Sequence, residues 1–220
     1  MGIKRAVAES TTLGEEEVIV LFVSHSRSTD GMERSRRLFT TLNRYAKTVS
    51  KMDIIALDED DVVAIVTRML VEEYPLFKYF LKIKKGKQLH TSDTESFTTI
   101  ETLYDSLDTY LQDQDAWNDF KRTRPSDAKI KHYYRRAVDL WDTVQKYFPA
   151  VKTLAESDKG ADPAAQFRGA HGGHLLFRPI GLLLVVDVIR EFLRKGKRLP
   201  SIIKALAKVP MELAGGARGG

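Results

Sequence analysis

A helix-dominated α/β fold with a small sheet is what this 220-residue sequence predicts, and three observations carry that expectation. Helical periodicity recurs in several long segments, residues 31–47, 98–111 and 127–147 among them. Strand-like runs are few, the clearest being residues 17–24, E-V-I-V-L-F-V-S, a continuous β-branched and aromatic stretch that suits a strand buried on both faces. Hydrophobic residues make up 43% of the chain, enough for one substantial core. The expected organisation is a disordered arm over residues 1–15, a single helix-rich α/β domain over 16–209, and a disordered Gly-rich tail over 210–220.

After the strand, residues 25–31 form a polar loop into the most basic helix. At roughly 100° per residue, Leu38, Phe39, Leu42, Tyr45 and Ala46 gather on one side, with Arg36, Thr40, Asn43, Arg44 and Lys47 on the other. Residues 31–47 carry five cations against the single Glu33, a net +4. That density suits phosphate, although arginines on the outer face of a core helix are also ordinary solvation. A strand, loop and helix in this order can cradle an anion, but no glycine-rich fingerprint accompanies it.

Asp58 is the expected cap of the next helix, with Glu59, Asp60 and Asp61 in its first turn, where the helix dipole favours carboxylates; a metal site is the competing reading. Val62, Val63, Ile65, Val66, Met69 and Leu70 supply that helix's buried side, and Arg68 pairs with the acids or joins the basic patch. Tyr74-Pro75 ends it. The apolar run 76–81 leads to residues 82–87, which alternate enough for a short strand, either an edge protected by lysine or a track for a nucleic-acid backbone. Thr98 with Glu101 reads as a capping box before a core helix, and Ser126 as the cap of a long helix over 127–147. The first turns of that long helix hold Lys129, Lys131, His132, Arg135 and Arg136, against the grain of the dipole.

Residues 150–173 lack periodicity and are expected as a long surface loop. His171 and His174 invite a metal hypothesis without a third ligand nearby in sequence. Pro179 begins a helix that is apolar nearly all round, so Arg178 at its entry needs a carboxylate, a carbonyl or a bound phosphate as partner. Residues 190–208 are again basic and contain one further short helix over 201–207.

Composition removes several function classes. Without cysteine there is no disulfide, thiolate nucleophile, iron–sulfur cluster or Cys-type zinc site, which suits a cytoplasmic protein. No apolar run approaches the ~20 residues of a membrane-spanning helix, so no membrane partner is expected. No cofactor is expected either. A net charge of +5 leans mildly towards anionic partners.

The order of residues says more than the totals. R-R-L-F-T-T-L-N-R-Y-A-K at 36–47, L-D-E-D-D at 57–61, T-R at 67–68, I-E-T-L-Y-D at 100–105, R-P-S-D at 124–127 and L-L-F-R-P-I-G at 175–181 together resemble the DGQHR-domain family of DNA sulfur modification proteins, the DndB type. The resemblance spans residues 18–209. It implies an incomplete ParB/sulfiredoxin-like DGQHR domain with its C-terminal helical part, because the D-G-Q-H-R signature itself is missing and Asp30-Gly31-Met32-Glu33-Arg34 is only an echo of it. The chain is therefore expected to be a piece of a longer protein.

What the resemblance implies is a DNA-associated accessory or regulatory protein of a DNA phosphorothioation system, with DNA and other modification subunits as partners. On that reading Arg36, Arg37, Asn43, Arg44, Lys47 and Arg178 hold backbone phosphates. A nucleotide-binding or nucleotide-hydrolysing enzyme fragment is the alternative. No Walker lysine loop and no trustworthy Ser-His-Asp order favours it, so no catalytic residue is assigned.

Overall fold

A computed structural model of the chain describes residues 49–90, 92–112, 117, 123–168 and 173–213. The chain divides into two compact units, Met1–Thr48 and Val49–Gly220, and every described residue belongs to the second. The expected strand at 17–24 and the basic helix at 31–47 lie outside the described residues.

Within the second unit the fold is helix-dominated α/β, as expected, with two small sheets. Eight α-helices are described: α1 Lys51–Leu57, α2 Val62–Glu73, α3 Pro75–Phe80, α4 Ile100–Leu111, α5 Asp127–Tyr147, α6 Pro149–Ala155, α7 Pro179–Arg194 and α8 Leu199–Leu206. The strands are two residues each. β1 (Leu81–Lys82) pairs in parallel with β2 (Thr98–Thr99), and β3 (Gly173–His174) pairs antiparallel with β4 (Glu212–Leu213). Such short ladders contribute only a few backbone hydrogen bonds at about 1 kcal/mol net each, whereas each fully buried large apolar side chain contributes about 1.5–3 kcal/mol. The helices therefore set the stability of the unit.

Local sequence explains most of the boundaries. Ser50 and Asp53 close a capping box on α1, the Ser50 hydroxyl accepting from Asp53 N–H at 3.2 Å while the Asp53 carboxylate accepts from Ser50 N–H at 3.1 Å. Pro75, Pro149, Pro179 and Pro200 stand in the first turns of α3, α6, α7 and α8, where a missing N–H costs nothing. The residue before a proline is pushed to extended backbone, which is why α2 stops at Glu73 and Tyr74 sits at ψ 117°.

The core is aromatic at its centre. Trp141 on α5 meets the edge of Phe77 on α3 at 4.8 Å between centroids and Phe97 at 6.0 Å; Phe97 in turn meets Phe177 at 5.1 Å. Around this cluster α4 packs most extensively on α7, α2 lies against α4 and α5, and α8 closes against α5 and α7.

Several expectations need correction. Asp61, not Asp58, caps α2, accepting from Val63 N–H at 2.8 Å and Ala64 N–H at 3.2 Å; Asp58 instead ends α1, and its carboxylate takes the N–H groups of Asp60 and Asp61. Thr99, one residue later than expected, caps α4, its hydroxyl accepting from Thr102 N–H at 3.3 Å. Ser126 occupies the cap position of α5 but makes no side-chain cap bond. The apolar run after Pro75 is helix α3, and the expected strand shrinks to Leu81–Lys82. Residues 150–173 are not one surface loop: α6 buries Val151 and Leu154 there, and Ala164 is buried as well. Last, α7 is buried on one side only, through Gly181, Leu182, Val185, Val186 and Ile189, while Ile180, Leu184 and Phe192 face solvent.

Candidate nucleic-acid interface

Whether a cation can meet a polyanion depends on what the fold has already given it. Many of the described cations are committed internally. Arg68 donates from Nη1 to the carbonyls of Ile55 (2.8 Å) and Asp58 (3.0 Å), and its Nη2 meets Glu59 Oε1 at 2.7 Å. Arg124 takes the other Glu59 oxygen at 2.7 Å. Lys51 and Lys87 share the Asp105 carboxylate at 2.6 and 2.5 Å. Tyr104 completes the corner, donating to Asp61 Oδ2 at 2.5 Å in a buried setting, and burial beside that carboxylate raises the phenol far above its ordinary pKa. The separated motifs 57–61, 67–68, 100–105 and 124–127 thus converge on one acidic corner and serve the fold.

A second cluster surrounds the start of α4. Arg168 Nη2 donates to the carbonyls of Ser96 (2.8 Å) and Phe97 (2.6 Å), tying the loop before α7 to the residues that lead into β2. Burial pushes its guanidinium pKa down to about 10; the Asp93 carboxylate opposes that shift and the neighbouring Arg178 charge adds to it. Burial alone would raise the Asp93 pKa, but the Ser96 N–H at 2.9 Å, the Ser96 hydroxyl and the Lys82 ammonium at 3.1 Å hold it below the usual carboxylate value. Arg178, half-buried at the N-cap position of α7, makes no side-chain cap bond and stands in the field of a second arginine.

Among the described residues, two places stand out for outward cations. On α5, Lys131 and Arg135 are exposed one turn apart, with Arg135 Nε on the Lys131 carbonyl at 3.2 Å. Denser still are residues 190–208, with seven cations against Glu191 alone, a net +6. There α7 ends in a left-handed Gly196 (φ 75°), the Lys197 N–H reaches back to the Phe192 carbonyl, and α8 follows. Arg194, Lys195, Lys197, Arg198, Lys204 and Lys208 are all exposed. Charge density along the chain was the signal for this stretch, and it lies outside the expected phosphate-binding set.

Of that set, Arg36, Arg37, Asn43, Arg44 and Lys47 lie outside the described residues; Arg178 is placed as above. His174 is a buried structural residue whose Nδ1 accepts from Leu176 N–H at 3.2 Å, and among the described residues no group of three His, Asp or Glu side chains is positioned to hold a metal ion. No described helix is long and apolar enough to cross a membrane.

The deciding observation is a family comparison. The model of the DndB family, described as DNA-sulfur modification-associated, matches residues 1–209. The chain belongs to the DndB family. The match takes in the motifs of the acidic corner as well as L-L-F-R-P-I-G, whose glycine the structure requires: a Cβ on Gly181 would stand 2.3 Å from the Leu175 carbonyl oxygen. No curated protein and no solved structure matches the chain.

Proposed function

We propose that this DndB-family chain is a DNA-associated accessory or regulatory protein of a DNA sulfur modification system, holding the duplex backbone through its basic helix. The family match carries the reading. It is supported by the net +4 of residues 31–47, where Arg36, Arg37, Arg44 and Lys47 supply charge and Asn43 a hydrogen-bond donor, and by the outward Lys131 and Arg135 of α5. Arg178 joins the phosphate contacts in this reading. Such contacts position a protein on the duplex and release counterions, with little sequence readout of their own. Other subunits of the modification system are the expected further partners, in the cytoplasm, and the fold is taken as the helical C-terminal part of a ParB/sulfiredoxin-like DGQHR domain.

A salt titration of duplex binding tests the proposal. About five phosphate contacts give a log–log slope near −4.5, and the triple change Arg36→Glu, Arg44→Glu, Lys47→Glu flattens that slope by about three units. No binding at low salt, or a slope unchanged in the triple variant, overturns it.

A further inference from the structure

On the solvent side of α7, Ile180, Leu184, Val188 and Phe192 follow one another at i, i+4 spacing. Ile180 is 81% exposed, Leu184 57% and Phe192 43%, with Val188 half-buried between them. Twelve residues of α-helix carry this line about 18 Å. It is a ridge of the kind that seats in the groove of a second helix. At its Phe192 end the ridge opens into a cleft of about 360 Å³ between α7 and α8, lined by Phe192, Ile202, Leu206 and Val209 with Lys197 and Ser201 as its polar side chains. A cavity of about 150 Å³ accepts a benzene ring, so this cleft has room for two or three apolar side chains.

The surroundings of the cleft are cationic. Lys195 Nζ lies 5.8 Å from the Phe192 ring centroid and 3.2 Å from Glu191, Lys197 lines the opening, Lys204 neighbours the Ser201–Ala205 line on the wheel of α8, and Lys208 is exposed in the turn just after α8. Asp187 and Glu191, both exposed on α7 itself, put carboxylates along the ridge on the α7 side of the cleft.

We propose that this face receives an amphipathic helix of another protein, one whose apolar stripe lies along Ile180–Phe192, whose large side chains enter the cleft, and whose carboxylates meet Lys197, Lys204 and Lys208. Each alternative uses only part of the face. Duplex DNA satisfies the lysines but gains nothing from an 18 Å apolar ridge. A second copy sets one net +6 segment against another. An anionic bilayer meets Asp187 and Glu191 along the ridge. An amphipathic helix whose carboxylates are confined to the end over the cleft matches both the apolar line and the lysines while keeping its own charges away from Asp187 and Glu191, the usual logic of helix-in-groove recognition.

The test is isothermal titration calorimetry of the full chain with a synthetic helical peptide bearing leucines at i, i+4 and i+7 and glutamates at its far end. Saturable binding is expected, weakened about tenfold by Leu184→Ser or Phe192→Ser, and weakened by Lys197→Glu with Lys204→Glu or by raising salt from about 50 to about 300 mM. These side chains are exposed, so the variants keep their fold, checked by circular dichroism. The proposal is overturned by absence of binding, or by equal affinity for a peptide of the same composition with its leucines scattered. It is equally overturned by a concentration-dependent dimer that Leu184→Ser abolishes, which assigns the face to a second copy, or by Leu184-dependent sedimentation with phosphatidylglycerol vesicles. Duplex affinity, measured on the same variants, reports separately on the basic-helix reading.

Discussion

Residues 58–61 hold four carboxylates in a row, and residues 190–208 hold seven cations against one carboxylate. In the first stretch Asp58 closes a turn, Glu59 is divided between Arg68 and Arg124, and Asp61 caps α2 while receiving the Tyr104 hydroxyl. In the second, Glu191 is the one carboxylate of the stretch itself, and it meets Lys195. One charge cluster has been consumed by the fold and the other displayed. The difference lies in what tertiary structure brings near: three separate segments supply partners to 58–61, whereas 190–208, the end of α7 with α8, turns six of its cations to the outside.

That contrast is open to direct attack. Asp61 is 3% exposed, so Asp61→Ala removes a helix cap and breaks the buried hydrogen bond from the Tyr104 hydroxyl to Oδ2. A loss of about 3–4 kcal/mol in urea unfolding is expected, against about 1–2 kcal/mol for Tyr104→Phe, which takes a donor from Asp61 Oδ2 but keeps the cap that Oδ1 makes on α2. Gly181→Ala meets backbone 2.3 Å away and should cost about 2 kcal/mol or more by the same measurement.

His174 gives a smaller, pH-dependent effect. Burial lowers its pKa below the ordinary 6.5, with Glu212 opposing, so the folded unit prefers the neutral ring. Its stabilising contribution is fully present above the unfolded value and is lost as pH falls from about 6.5 through the folded value. The urea midpoint should therefore drop between pH 7.5 and 5.5, and His174→Asn, which keeps a capping acceptor without the titration, should remove that part of the drop. Glu59→Gln loosens two ion pairs on a largely exposed side chain and should cost under about 1 kcal/mol. Least of all, Lys197→Glu with Lys204→Glu should leave stability within about 0.5 kcal/mol, because those ammonium groups serve no internal partner among the described residues.

Much of the helical framework was legible. The long helix at 127–147 came out with the bounds its stripe suggested, and proline positions announced the breaks at Tyr74 and Arg178. What periodicity misjudged were choices between adjacent chemically equivalent residues. Asp58 and Asp61 are equally good caps in isolation, but Asp58 is engaged in ending α1 while Asp61 also receives the buried Tyr104 hydroxyl from 43 residues away. Thr98 and Thr99 pair alike with Leu81 and Lys82 in β2, and it is the Thr99 hydroxyl that reaches Thr102 N–H and the Thr102 hydroxyl. For α7, an apolar count cannot tell a helix buried all round from one that keeps Ile180 and Leu184 outside. Of the two readings open for Arg68, the structure shows pairing with the acids, through Glu59, which Arg124 also reaches, and among the described residues the family motifs fall mainly on side chains that hold the fold together.

The chain's two tryptophans, Trp117 and Trp141, are both buried, the second at the centre of the aromatic cluster. Intrinsic emission should accordingly be blue-shifted in the native state and move to the red only when the second unit opens. Occupancy of the α7 ridge would pass unseen by either indole, so a single optical trace can follow loss of this core without interference from ligands at the surface.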